Sequence, residues 1–220
     1  MASQSTTEVS HLDARLVSKT LPIVLRTIQP ADAARFAAIL SDPANASDPH
    51  AKPLDAATAA AIIAKQRESA AAPTVLDLAT DAVLSGPSRI NMVVELLDGH
   101  HVIGLGGYGA IKNWVRDGKP LRAGDVGAMI DPAHRGKGYA TEAIRLAVDW
   151  AFAPAREGGL QLDLVTITTG EDNAAMVKLA DEKLGLKGKG THRPSQEEGG
   201  EEVTEVYYEL TKKDWQEVSA

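Results

Sequence analysis

The chain has 220 residues, of which 44% are hydrophobic and 24% are charged, and its formal net charge is −7 at pH 7. This composition is typical of a globular protein whose length suits one domain with a core of normal size. The acidic balance argues against a broad surface for nucleic acid or anionic membranes, and the absence of cysteine excludes disulfides, thiolate metal sites and a cysteine nucleophile.

No apolar run is long enough to cross a membrane, and the polar N-terminus lacks the features of a secretory signal. We therefore expect a cytoplasmic protein without a membrane partner. Residues 1–20 are predicted to be a flexible segment in front of a single domain at 21–220. The first part of this domain predicts one strand, one helix, a Pro-rich loop and a second helix, at 22–28, 30–40, 41–53 and 54–72.

Residues 73–89 do not indicate a definite element, and the rest of the domain alternates between strands and helices. Asp98-Gly99 lies between two β-rich runs, which predicts a hairpin over 90–111. A connecting loop, a strand, a helix, a strand, a helix and a final pair of strands are then expected, at 113–124, 125–130, 138–153, 160–169, 171–185 and 186–210. This order predicts an α/β protein in which helices cover a mixed sheet.

The junction between the strand at 125–130 and the following helix has an unusual composition. Glycines at 136 and 138 allow a tight backbone and close approach of a ligand, while Arg135 and Lys137 supply positive charge. The first amides of a helix have no partners within the helix, so this junction is suited to a phosphate or pyrophosphate. A well-made turn with solvated cations explains the same residues. The P-loop and dinucleotide-binding glycine patterns are both absent here.

The segment Arg135-x-x-Gly138-x-Ala140 resembles the Arg/Gln-x-x-Gly-x-Gly/Ala signature of the GNAT acyl-CoA N-acyltransferases. The run 124–152 is similar to the RimJ/RimL-like subgroup, the ribosomal-protein alanine acetyltransferases. The helix containing Asn173, the closing strand with its Trp-bearing tail, and the opening strand and helix extend the resemblance over 22–215. The resemblance implies a GNAT fold of α+β type, with a mostly antiparallel central sheet of about seven strands flanked by helices.

What the resemblance implies about function is direct transfer of an acetyl group from acetyl-CoA, as co-substrate, to a primary amine of a small molecule or a protein N-terminus. We expect no metal, no nucleic-acid partner and either a monomer or a homodimer. The strand before the loop would pair with the pantetheine arm, the loop amides would bind the pyrophosphate, and Asn173 would contact the cofactor near the acetyl end. The implied cofactor-binding residues are Ala128, Met129, Ile130, Arg135, Gly136, Lys137, Gly138, Tyr139, Ala140, Thr141 and Asn173.

Acetyl transfer needs a base for the amine and a proton for the departing thiolate. Asp125 matches the position at which the subgroup often carries a glutamate proposed as the base, and a solvated carboxylate at the end of a strand is the alternative. The general-acid tyrosine of many family members is replaced by Asp181, so water would protonate the thiolate. A non-catalytic acyl-CoA sensor or a scaffold without a ligand therefore remains an alternative.

Other polar residues are expected to have ordinary roles. His100 and His101 lie at a turn, and His134 adjoins the loop. The alternation of side chains along the strand does not decide whether Glu95 faces the substrate or the solvent. The acidic run 196–202 is simplest as a solvated loop, with attraction of a cationic amine as the alternative. Acceptor specificity is expected to reside in 54–89 and 113–124.

Overall fold

The computed structural model of the chain describes residues 5–46, 48, 51–196 and 202–219. Its strands are Thr6–Val9 (β1), Arg15–Val17 (β2), Ile23–Thr27 (β3), Thr74–Asp77 (β4), Val83–Ser85 (β5), Ile90–Leu96 (β6), Val102–Arg116 (β7), Lys119–Ile130 (β8), Leu164–Gly170 (β9), Thr191–Gln196 (β10) and Glu202–Leu210 (β11). Its α-helices are Ala33–Leu40 (α1), Ala56–Ala71 (α2), Tyr139–Phe152 (α3), Ala174–Lys178 (α4) and Lys212–Ser219 (α5). None of the described helices is both long and apolar enough to cross a membrane.

The main sheet has eight strands in the order β10-β11-β9-β8-β7-β6-β3-β2. Neighbouring strands pair antiparallel except β8 and β9, which are parallel. The predicted mixed, mostly antiparallel sheet flanked by helices is thus confirmed, with one more strand than expected. A second, three-stranded sheet has the order β1-β4-β5 and includes the stretch 73–89 to which the sequence assigned no element.

The N-terminal segment differs from the flexible extension expected for 1–20. In its described part, β1 pairs with β4, and β2 extends the main sheet by pairing with β3. His11 between them is 1% exposed, and Leu12, Ala14 and Leu16 pack against the core. Within β2, Leu16 faces the core while Arg15 and Val17 are exposed, which is the pattern of a strand buried on one side. Residues 1–4 lie outside the described residues.

Helices cover the two faces of the sheet unequally. α1 and α2 pack over β7 and β6 on one face, which we call the α1–α2 face, while α3 packs over β8, β7 and β3 on the opposite, α3 face. α3 buries a stripe at helical spacing, as its sequence predicts; the buried members of this stripe are Ala143, Ile144, Ala147, Val148 and Ala151. α1 and α2 lie over β6 and β7. On the same face, β9 and β11 carry the partly exposed side chains of Thr168, Glu205, Tyr207 and Glu209.

Two elements have boundaries that the sequence did not predict. The expected connecting loop at 113–124 instead completes β7 and begins β8, so that β7 and β8 form one long hairpin that turns at Asp117 and Gly118, both with positive φ. The expected helix at 171–185 is α4 followed by a π-helical turn over Leu179–Lys183.

Candidate active site

The two parallel strands at the centre of the sheet separate shortly after they meet. β8 and β9 pair only at Ala123, Gly124 and Asp125, opposite Leu164, Val165 and Thr166. Beyond this point β8 continues to Ile130 paired with β7 alone, and β9 continues to Gly170 paired with β11 alone. The facing edges of β8 and β9 therefore have peptide groups without strand partners, in a gap that widens from Asp125. Such edges can bind an extended ligand by backbone hydrogen bonds.

The residues expected to contact the pantetheine arm line one side of this gap. Ala128, Met129 and Ile130 form the end of β8 beside the unpaired edge. Successive side chains alternate between the two faces of the sheet. Ala128 and Ile130 therefore pack into the hydrophobic core on the α3 face, while Met129 packs into the core on the α1–α2 face. Their backbone groups, rather than their side chains, are thus the groups that a ligand in the gap can reach.

The loop after β8 presents a row of unpaired amides. Gly136 and Gly138 have φ values of 75° and 82°, and α3 begins immediately after Gly138. The amides of residues 136–141 have no hydrogen-bond acceptor among the residues that the structure describes; these residues are Gly136, Lys137, Gly138, Tyr139, Ala140 and Thr141. Six consecutive amides at the N-terminus of a 14-residue helix fit an anionic group such as a pyrophosphate.

The two cations of the loop have different environments. The Arg135 guanidinium donates hydrogen bonds to the backbone oxygens of Ile130 and Ala44 and to Asn45 Oδ1, so it holds the loop against the segment after α1. The Lys137 ammonium has no ion pair within the described part of the chain. Of the two expected charges, Lys137 is therefore the one available to a phosphate, and Arg135 contributes chiefly by shaping the loop.

Asn173 lies at the same edge of the sheet as this loop. β8 and β9 are parallel, so the segments that follow their C-terminal ends meet at one edge, where ligands of open α/β sheets bind. Asn173 caps α4, with its Oδ1 accepting a hydrogen bond from the Met176 amide at 3.2 Å. Its side-chain amide has no hydrogen-bond partner among the described residues and is free to donate.

Asp125 lies at the apex of the gap, with its side chain on the α1–α2 face. Its Oδ1 accepts hydrogen bonds from Thr166 Oγ1 at 2.6 Å and Thr168 Oγ1 at 2.8 Å. The Oδ2 atom has no partner among the described residues. Burial raises the pKa of Asp125, although the two threonine hydroxyls and the nearby Arg193 act in the opposite direction. Opposite Asp125, β7 has a bulge between Tyr108 and Ala110.

A polar cluster extends from Asp125 across the α1–α2 face. Glu209 of β11 pairs with Thr166, which itself pairs with Asp125 of β8. Tyr207 pairs with Thr168. Glu209 and Tyr207 are therefore next to the two threonines that bind Asp125. The Tyr207 hydroxyl donates to Glu209 Oε1 at 2.8 Å, and the Arg193 guanidinium lies 4.0 Å from the centre of the Tyr207 ring. Sequence reasoning missed this cluster. The alternation in 203–210 indicates two faces, but only the strand register shows that one of them borders Asp125.

Several residues considered from the sequence have structural roles instead. Glu95 is 4% exposed and accepts hydrogen bonds from Arg26 and His100, which outweigh the opposite effect of burial and lower its pKa. It therefore faces neither substrate nor solvent. The Asp181 carboxylate accepts a hydrogen bond from the buried Tyr208 hydroxyl at 2.9 Å. Most of the acidic run 196–202 lies outside the described residues.

No group of three His, Asp or Glu side chains in the described ranges is arranged to hold a metal ion. His134 Nδ1 is buried without a hydrogen-bond partner and lies 3.8 Å from Asp131 Oδ1. The site offers a positioned carboxylate with an elevated pKa, at the apex of a gap whose edges and adjoining loop have unpaired amides.

Known proteins share both the fold and part of the sequence. A relative in Caenorhabditis briggsae described as an N-acetyltransferase 9-like protein is 40% identical over 65 residues, which is 29% of this chain and 30% of that one. The ribosomal-protein-S5-alanine acetyltransferase from Vibrio fischeri superposes with a TM-score of 0.60 at 18% identity, covering 92% of this chain and 99% of the other.

An acetyltransferase from Salmonella typhimurium, whose structure contains its cofactor acetyl-CoA, has the same fold, with a TM-score of 0.51 at 18% identity over 86% of this chain and 94% of the other. The family model of the acetyltransferase (GNAT) domain matches residues 23–187, which include the separated strands, the amide-rich loop and Asn173. The chain therefore belongs to the GNAT acetyltransferase family.

Proposed function

We propose that this protein transfers an acetyl group from acetyl-CoA to a primary amine in the cytoplasm. The observation that carries the proposal is the juxtaposition of three features: the gap between β8 and β9, the unpaired amides of 136–141 and the Asp125 carboxylate at the apex. The acceptor amine belongs to a small molecule or a protein N-terminus. The ribosomal-protein-S5-alanine acetyltransferase that shares the fold is named for a protein acceptor.

Each part of the site has a defined task in this reaction. The edges of β8 and β9 hold the extended arm of acetyl-CoA, and the amides of 136–141 with Lys137 bind its pyrophosphate. Asn173 orients the cofactor near the apex. Acetyl-CoA, when bound, supplies the acetyl group as a thioester. No covalent bond to the protein is needed.

Asp125 is proposed as the base that removes a proton from the acceptor ammonium, directly or through one water. Thr166 and Thr168 orient the carboxylate through Oδ1 and leave Oδ2 for this proton. A base with a raised pKa holds the proton more strongly than an exposed aspartate does, which suits it to operation near neutral pH. Water protonates the thiolate, because the position of the usual tyrosine is occupied by Asp181, which already accepts a hydrogen bond.

A non-catalytic acyl-CoA sensor is the second candidate, and it is favoured by this missing proton donor. Two measurements separate the candidates. Calorimetry with acetyl-CoA tests binding, and release of free CoA across a panel of amines tests turnover. Binding without turnover on any amine would favour the sensor, and an intact protein that does not bind acetyl-CoA would exclude both.

Replacing Asp125 tests its proposed role. Asp125→Asn keeps a hydrogen-bonding side chain of the same size but cannot accept the proton. We expect kcat to fall by roughly 10²–10⁴-fold, as when a general base is removed, while the Kd for acetyl-CoA stays unchanged. A kcat within a few-fold of the wild-type value would rule out Asp125 as the base.

A further inference from the structure

The hairpin of β7 and β8 extends far beyond the part of β8 that pairs with β9. Arg116 pairs with Lys119 next to the turn, whereas β8 first meets β9 at Ala123. The turn end of the hairpin, residues 112–122, is thus a two-stranded ribbon. Lys119 precedes Asp125 by six residues, which corresponds to about 20 Å along a straight strand.

A side chain of the ribbon nevertheless contacts a residue that lies level with Asp125 in the sheet. Arg116 Nη2 donates a hydrogen bond to Glu209 Oε1 at 2.7 Å. Glu209 pairs with Thr166, which in turn pairs with Asp125, so these three residues lie side by side across β11, β9 and β8. The combined reach of an arginine and a glutamate side chain is much shorter than the straight-strand distance. The ribbon must therefore curl towards the α1–α2 face.

The contact is integrated into the polar cluster rather than isolated. Glu209 Oε1 accepts hydrogen bonds from both Arg116 and the Tyr207 hydroxyl, and Arg193 lies across the Tyr207 ring while it contacts Glu205. Arg116 and Glu209 side chains are 45% and 33% exposed. They are outside the hydrophobic clusters, so packing of the core does not account for the contact.

We propose that the curled ribbon and Tyr207 form two walls of the acceptor site, and that Arg116 and Glu209 are the residues that hold these walls in place. The proposal rests on acetyl transfer at Asp125. It adds that a positioning contact remote from the cofactor selects which amines reach that carboxylate. An amine that fits between the ribbon and Tyr207 is bound productively, whereas a loosened ribbon leaves its binding unconstrained.

The physical consequence is a separation between the two substrates. The pyrophosphate loop and the β8 edge do not contact Arg116, so loss of its hydrogen bond leaves the acetyl-CoA site intact. The acceptor loses one wall of its site, so its KM increases and small and large amines are discriminated less.

The test compares Arg116→Gln with a matched control elsewhere on the protein. Arg156→Gln breaks an ion pair of similar exposure, in which Arg156 Nε lies 2.5 Å from Asp81 Oδ1 near the three-stranded sheet. Arg116→Lys retains the charge and should restore the contact in part. Hydrogen–deuterium exchange over 112–122 is measured for all three variants and the wild type, together with KM for acetyl-CoA and for the best amine of the panel.

We expect Arg116→Gln to accelerate exchange in the ribbon by about three- to five-fold, as for the loss of an exposed ion pair, and to raise the amine KM by a similar factor. The acetyl-CoA KM should not change, and Arg156→Gln should resemble the wild type in every measurement. Unchanged exchange in the ribbon would overturn the proposal, as would equal changes in the KM of both substrates. If the wild type acetylates no amine, the proposed function fails, whereas exchange in the ribbon still decides whether Arg116 holds it.

Discussion

At the scale of single residues, the site depends on how the fold adjusts one carboxylate. Asp125 would be an ordinary aspartate at an exposed end of a strand. Instead it is enclosed between β7 and β9, and its pKa is raised because burial disfavours the charged form. Thr166 and Thr168 limit this effect by donating hydrogen bonds to the ionised carboxylate. The net result is a pKa above the usual value, so Asp125 holds a proton more strongly than an exposed aspartate does.

This balance predicts the effect of Thr168→Val. The substitution removes a hydrogen bond that favours the charged carboxylate, so the pKa of Asp125 rises further. The acidic limb of kcat/KM for the amine should move to higher pH by about one unit. Thr169→Val is the control, because the Thr169 side chain lies on the opposite face of β9. A pH profile that is identical in both variants would show that Asp125 does not titrate in this limb.

His11 is a second residue whose properties arise from burial. It lies edge-on to Trp150 at 5.4 Å between ring centroids, and its Nε2 is 2.9 Å from Thr74 Oγ1. Burial, with a smaller effect of Arg122, lowers the pKa of His11 to about 4. The unfolded chain therefore binds a proton at this residue between roughly pH 6.5 and 4 that the folded chain does not.

The folded state should consequently lose stability as the pH falls through this range. Because of His11, the free energy of unfolding should decrease by about 3 kcal/mol as the pH falls from the unfolded pKa to the folded pKa. His11→Gln removes the titrating group, so its free energy of unfolding should decrease less between pH 7 and pH 4.5 than that of the wild type. Urea unfolding at the two pH values measures the difference. Equal decreases in the two proteins would contradict a neutral, buried His11.

At the scale of elements, the loop before α3 needs both a left-handed backbone at its glycines and amides that face outward. Gly136 and Gly138 adopt positive φ, which L-residues with a Cβ rarely do, and this conformation aims the following amides outward. A Cβ at Gly138 would meet only Leu21 Cδ1 at 3.7 Å, which is an ordinary contact. The glycine is therefore required by backbone conformation rather than by lack of space within the protein.

Gly138→Ala tests whether this conformation also serves the cofactor. Strain in the left-handed region should lower the free energy of unfolding by about 1–2 kcal/mol. Gly158→Ala is a matched control, since Gly158 has a φ of 86° and open space around its Cβ position. We expect similar destabilisation in both variants but a raised acetyl-CoA KM in Gly138→Ala alone. An increase of the same size in both would dissociate the loop from cofactor binding.

At the scale of the whole molecule, the N-terminal segment joins the two sheets. β1 belongs to the three-stranded sheet and β2 to the eight-stranded sheet, and His11 lies buried between them. A separate link is made by Arg122 of β8, which donates to the carbonyl oxygens of Leu160 and of Pro87, the latter in the segment after β5. The N-terminal segment is thus part of the folded domain, although its polar composition resembles that of an extension.

Removal of residues 2–17 should therefore destabilise the entire domain. The truncation deletes β1 and β2 and exposes the core that Leu12, Ala14 and Leu16 cover. For a domain of this size, a loss of a few kcal/mol corresponds to a decrease in Tm of about 5–10 °C. Differential scanning calorimetry measures the midpoint. An unchanged Tm would mean that the segment is a dispensable extension, as its composition alone indicates.

The sequence by itself determined the family, the glycine-rich loop before α3 and most of the elements, because these depend on local patterns. The glycines at 136 and 138, the apolar spacing in α3 and the Asn-bearing helix are each recognisable within a few residues. Only the tertiary structure decided that 113–124 is a hairpin ribbon, that Arg135 braces the loop and that Glu95 belongs to a buried ion pair. It also placed Tyr207 and Glu209 beside Asp125. These roles depend on strand register and on contacts between distant segments, which local sequence patterns do not encode.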